Sequence, residues 1–275
     1  MVTLTVEHPT LLLDEILHSI FFFGKLDDPE FSPESLVNDD KELREMLKDH
    51  YPRPFDLYSS QVPKRSPFSC VLDMIVHLHG QKNDEKEIIK TLQDFIKKLE
   101  KDGSNGLVPS TICVSQSNIP ESVKYYGVSM SSLGLKPGRI MVAASCLSSW
   151  DSKVADAVMT YKQNKKKNLD FDGTVKLQPY VRCQAFSIRD GTEKPPCKSC
   201  GNLFGLETNE KKEWAYGNCA EAESLSNLLK NDEQVREQVQ PTSETCTDVN
   251  REKVKESVLK ELKSFLGVIF YDPRV

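Results

Sequence analysis

The sequence predicts an α/β protein in two parts, a mainly helical region over residues 1–135 and a layered region of alternating helices and strands over 136–275. Three observations carry that expectation. Residues 1–105 read as helix after helix, the texture turns Ser-, Gly- and Pro-rich at 130–138, and helix-like and strand-like segments alternate beyond it.

In the first part, Ser32-Pro33-Glu34 and Ser66-Pro67 each set a capping hydroxyl before a proline at the first helical position, where the missing N–H costs nothing. Residues 70–79 are apolar with a 3.6 period through Val71, Met74, Ile75 and Leu78. Over 84–103, Ile88, Ile89, Leu92, Phe95, Ile96 and Leu99 recur at three- and four-residue intervals opposite a face of Lys and Glu, and Gly103 stands where a C-cap belongs. Residues 107–114 lean towards a strand, 119–126 towards a helical turn and 130–138 towards a linker.

The second part opens on an expected strand at 139–144, then a helix over 149–165 with Val154, Ala157, Val158 and Tyr161 on one face. Lys165, Lys166 and Lys167 close that helix where cations favour its dipole, and read as a solvated end. Residues 173–189 alternate and are rich in β-branched and aromatic side chains, which gives a strand or a bent pair broken at Pro179. A polar hairpin-like stretch at 195–201 follows, with a strand at 214–216. Cys219 opens a helix running to about 231, with Leu225, Leu228 and Leu229 inward. An exposed loop at 231–247, a helix at 249–266 and an apolar segment at 268–271 complete the order.

The chain has 36 Lys+Arg against 41 Asp+Glu, a net charge of -5, which argues against global attraction to phosphate while leaving room for a local basic groove. Asp14, Glu15 and His18 interrupt the apolar runs at 11–13 and 20–23, so no stretch spans a bilayer. Glu7 and His8 stand where a secretory signal needs Lys or Arg. The expectation is a cytoplasmic or nuclear protein with no membrane partner, whose eight cysteines stay reduced.

Two segments can carry chemistry. Cys197-Lys198-Ser199-Cys200 is a C-x-x-C, a spacing that lets two thiolates reach one metal from a single turn, with zinc the usual guest. Cys219-Ala220-Glu221 sets a third thiol at the start of a helix, where the positive end of the dipole favours the thiolate a metal needs. Pro196-Cys197-Lys198-Ser199-Cys200 and Cys219-Ala220-Glu221, with Tyr216-Gly217 just ahead of the latter, resemble the signature of the cytidine deaminase-like superfamily, with the two halves in reversed order. The resemblance implies an α/β/α fold for the C-terminal region and zinc on Cys197, Cys200 and Cys219. It further implies that Glu221 is a proton shuttle rather than a ligand, and that the substrate is cytosine or a related base in a nucleoside, nucleotide or nucleic acid.

A second reading is a non-enzymatic interaction protein. Cys183 or Cys246 would then close a structural four-cysteine zinc site, and the N-terminal helices would present a partner surface. Glu221 also fits as an acid complementing the helix dipole, as does Glu223. His77 and His79, two apart on a helix, do not share a face, so a common metal is not expected of them. Cys70, Cys113 and Cys146 read as core thiols. Trp150 and Trp214 read as packing residues, with Trp214 close enough in sequence to the thiols to stack on a base.

Overall fold

The computed structural model describes residues 9–27, 30–36, 40–80, 84–101, 107–119, 121–132, 134–161 and 166–266. The expected Gly103 cap, Lys165 and the apolar segment at 268–271 lie outside the described residues, as do Glu7 and His8. Six helices open the chain: α1 (Pro9–Leu26), α2 (Pro33–Leu36), α3 (Lys41–His50), α4 (Pro52–Leu57), α5 (Pro67–His79) and α6 (Glu85–Lys101). Ser66 caps α5 as its position suggests, its hydroxyl oxygen accepting the Ser69 N–H at 3.3 Å. In α6, Ile88, Ile89, Leu92 and Ile96 are buried and Phe95 is exposed.

The strands β1 (Thr111–Ser117), β2 (Tyr125–Val128), β3 (Val181–Ser187) and β4 (Glu193–Lys194) form one antiparallel sheet in the order β2-β1-β3-β4. The chain is thus a mixed α/β protein. Residue 135 separates strands of this one sheet, β1 and β2 before it and β3 and β4 after it. Period-2 alternation sends the two sets of β1 side chains to opposite faces. Ile112 and Val114 pack in one cluster with Phe68 and Leu72 of α5 and Ile88 and Leu92 of α6. On the other face Cys113 meets Ala220, and the Ser115 and Ser224 hydroxyls bond at 2.8 Å, both partners lying in α10 (Ala220–Asn231).

Between β2 and β3 lie α7 (Leu135–Ala144), a π turn (Ser145–Ser149) and α8 (Ser152–Met159). The strand expected at 139–144 is therefore helix. Ile140, Met141, Ala143 and Ala144 are all buried among Phe22, Phe23, Val62 and Leu262, so the apolar run covers most of the helix surface and carries no readable 3.6 period. The chain continues with α9 (Lys198–Phe204), α10, α11 (Glu233–Gln238) and α12 (Asp248–Leu266). Residues 214–216 are not a strand. The loop expected at 231–247 contains α11, whose cap Asp232 accepts the Val235 N–H at 3.0 Å. The helical turn expected at 119–126 instead runs into β2, and α7 begins inside the stretch expected as a linker. Arg251 of α12 holds the buried Asp156 of α8 at 2.6 Å, tying the last helix to the core. Among the described residues no helix is long and apolar enough to cross a membrane.

Gly127 of β2 lets α10 seat on the sheet, since a Cβ there would lie 2.3 Å from the Ser224 backbone nitrogen. One residue along, the Val128 N–H donates to the Glu223 carboxylate at 2.7 Å. Burial raises the Glu223 carboxyl to about 7, opposed by hydrogen bonds from Ser69 and Val128. The folded pKa stands above the ordinary 4.5, so the native state binds the extra proton between those values and loses stability as pH rises from 4.5 through 7. Part of the Glu223 side chain stays accessible. Glu223→Gln, which keeps the acceptor oxygen, is accordingly expected to gain about 1–2 kcal/mol over the parent at pH 8 and little at pH 5, after discounting for solvent screening. Thermal melts of both proteins at the two pH values check this, and parallel pH profiles would refute it.

Candidate metal centre

Residues 195–219 bring three thiols together. Cys197 is the N-cap residue of α9, Cys200 lies in its first turn, and Cys219 is the N-cap residue of α10. Neither capping cysteine uses its side chain to cap its helix. Instead Cys197 Sγ lies 3.6 Å from Cys200 Sγ and 3.4 Å from Cys219 Sγ, and the three sulfurs fall within 4.8 Å of one another.

The chain returns over the eighteen residues between Cys200 and Cys219 by a pinned loop. Gly205 ends α9 in the left-handed region, at φ 67. The Lys198 N–H donates to Lys212 O at 3.1 Å, the Ser199 hydroxyl to Trp214 O at 2.7 Å, and the Thr208 hydroxyl to Pro196 O. Gly217 makes the last turn at φ 90, with its Cα so close to α7 that a Cβ would lie 2.6 Å from Val142 Cγ1. Asn218 then fixes the entry to α10, its carbonyl accepting the Met130 N–H at 2.8 Å. Tyr216 stacks on Tyr161, centroids 3.8 Å apart, and its hydroxyl donates to Glu213 at 2.7 Å while accepting from Asn202 at 2.8 Å.

The sulfurs act on one another as donors and acceptor. Hydrogen bonding with Cys200 and Cys219 lowers the Cys197 thiol to about 2. Hydrogen bonding with Cys197 and Cys219, together with burial, pushes the Cys200 thiol up, and the bond with Cys197 raises Cys219. A cation bound here would displace the protons that the thiols hold. Ligand chemistry and spacing both suit a soft tetrahedral ion: at a Zn–S distance of about 2.3 Å, tetrahedral sulfurs stand roughly 3.8 Å apart, close to the spacings found here.

Glu221, in the first turn of α10, is buried beside this cluster. Burial raises its carboxyl pKa, the Cys197 thiolate adds to that, and a hydrogen bond with Cys200 and the charge of Lys194 oppose it. Its carboxylate is not one of the clustered ligand atoms. Neither Cys183 nor Cys246 belongs to the cluster. Cys183 Sγ lies 3.6 Å from Cys113 Sγ on the neighbouring strand, and Cys246 faces Asp156 and Arg251, each at 3.7 Å.

Cys70, Cys113 and Cys146 are buried, Cys70 donating to Glu15 at 3.3 Å. His79 bonds Thr91 at 3.2 Å, His77 is exposed, and neither belongs to a ligand cluster among the described residues. Trp214 is half exposed, with the Lys212 ammonium 3.7 Å over its ring. Lys194, whose charge reaches Glu221 from β4, carried no signal in the sequence, because its only distinction is a sheet pairing opposite Ala185. The chain matches no family model, no curated protein and no solved structure.

Proposed function

We propose that the chain is a zinc-dependent hydrolytic deaminase with a rearranged cytidine deaminase-like core, acting on cytosine or a related base in a nucleoside, nucleotide or nucleic acid. The observation that supports it most is the ligand count. Three thiols converge, no fourth Cys, His or carboxylate joins them among the described residues, and a buried acid stands next to them outside the ligand set. Three protein ligands and an open position are the arrangement of catalytic zinc, and four ligands that of structural zinc.

When bound, zinc supplies Lewis acidity and brings the pKa of water in its fourth position towards neutrality. The protein does the rest. Cys197, Cys200 and Cys219, at the N-termini of two helices, would hold the ion. Glu221 takes the proton that water releases onto its carboxylate and delivers it to the base and its leaving amine, so that an amine and water become a carbonyl and ammonia. A buried, desolvated carboxylate with a raised pKa suits that exchange, because it takes and returns a proton at small energetic difference.

X-ray absorption on freshly purified chain is expected to show zinc with a shell of three sulfurs and one lighter atom, and incubation with cytidine, deoxycytidine monophosphate and cytosine-containing single strands is expected to release ammonia from at least one of them. A shell of four sulfurs overturns the enzymatic reading in favour of a structural zinc site in an interaction protein. Absence of zinc overturns both.

A further inference from the structure

A cavity of about 800 Å³, open to solvent on one side, is lined by residues of α7, α8, α12 and the turn at 215–218. None of Cys197, Cys200, Cys219 and Glu221 lines it. Its floor is apolar and buried, formed by Phe171, Val158, Met159, Cys146 and Ala143. Its rim is exposed and charged. Arg139 of α7 and Lys253 and Lys260 of α12 stand there against Asp170 and Glu261, a local excess of cations in a chain whose net charge is -5.

The lining also includes one exposed aliphatic side chain. Leu135, which lines the cavity, is 80% exposed. That side chain continues the apolar surface of the floor outwards to the opening. The volume lies within the range of about 300–1,000 Å³ in which small-molecule pockets fall.

We propose that this cavity binds an anionic single-chain amphiphile, with its acyl chain on the Phe171, Val158 and Met159 floor and its carboxylate at Lys253 and Lys260. The gradient from buried apolar floor to cationic rim is what distinguishes this ligand from a nucleotide, whose base needs polar partners at depth. The amide side chains of the lining, Asn168, Asn218 and Asn250, are all partly exposed, and the two tyrosines at the wall stack on each other. The proposal is independent of the metal centre and of the deaminase reading.

Isothermal titration of the full chain with dodecanoate, kept below its micelle concentration, is the test. Saturable binding of one dodecanoate per chain is expected. Lys253→Glu/Lys260→Glu, two exposed changes, should weaken it at least tenfold, and Ser257→Trp, at an exposed lining position, should remove it. Both variants should melt and hold zinc as the parent does. No saturable binding, or binding unchanged by Ser257→Trp, overturns the site. Dodecanol bound as tightly as dodecanoate overturns the anionic assignment, and a dimer of the chain that forms on concentration and that dodecanoate leaves intact overturns the amphiphile in favour of a second copy.

Discussion

Cys219→Ser is expected to empty the metal site while leaving the rest of the chain folded. The substitution removes one of three clustered thiols, so the loss of affinity should exceed the roughly 10- to 100-fold that a group merely supporting a ligand is worth. The same change acts in the opposite sense on the metal-free protein. Cys219 is the N-cap residue of α10 and makes no side-chain cap, whereas serine is among the best N-cap residues, worth about 0.5–2 kcal/mol over a non-capping side chain. Serine also replaces a thiol whose pKa is raised by its neighbours. The apo form of the variant should therefore melt at or slightly above the apo parent, and its melt should ignore a chelator that lowers the melt of the metal-loaded parent. Metal content by mass spectrometry and thermal melts with and without chelator read both effects. If the variant unfolds with or without the chelator, Cys219 is a packing residue. Retention of full metal content would place the site elsewhere.

The thiol cluster was legible because its parts are local. C-x-x-C sets two sulfurs on one helix start, and Cys219-Ala220-Glu221 marks the start of another. What joins the two starts was not legible, since it lies in backbone contacts of an irregular loop: Lys198 to Lys212, Ser199 to Trp214, Asn218 to Met130. The sheet shows the same division. β3 was readable from its alternation after Pro179, but β2 is buried at all four positions, so no period-2 pattern survives in its sequence. α7 shows no helical period for a related reason, its apolar run being covered by α1, α12 and their neighbours. α11 offers only the capping signal of Asp232, because a six-residue helix has too few apolar positions to show a period. Which cysteine would close the cluster could not be read from spacing at all. Strand register decides it for Cys183, by turning that sulfur towards Cys113, and the Asp156–Arg251 ion pair engages Cys246.

On the deaminase reading proposed above, Glu221→Gln is expected to lower turnover by about 10²- to 10⁴-fold, the range that a positioned general acid–base supplies, with metal content unchanged. The size of the drop separates the two roles open to this residue. An acid in the first turn of α10 complements the helix dipole, a contribution of about 0.3–1 kcal/mol, and if that were its whole role glutamine would cost that much stability and leave turnover alone. The environment of Glu221 argues for more than a dipole partner. It is buried, its carboxyl is raised by desolvation and by the Cys197 thiolate, and it sits outside the ligand set. Burial disfavours ionisation of Glu223 on the same helix as well, so what sets Glu221 apart is its place beside the three sulfurs. Glutamine keeps the volume and the hydrogen bond to Cys200 can persist, so the fold and the three sulfurs should be undisturbed while the transferable proton is lost. Turnover should fall at saturating substrate and in single-turnover experiments alike, because the missing step is chemical rather than binding. Unchanged turnover in a variant that still holds its metal would remove Glu221 from the reaction, and parallel loss of metal and activity would make it a group that supports the ligands.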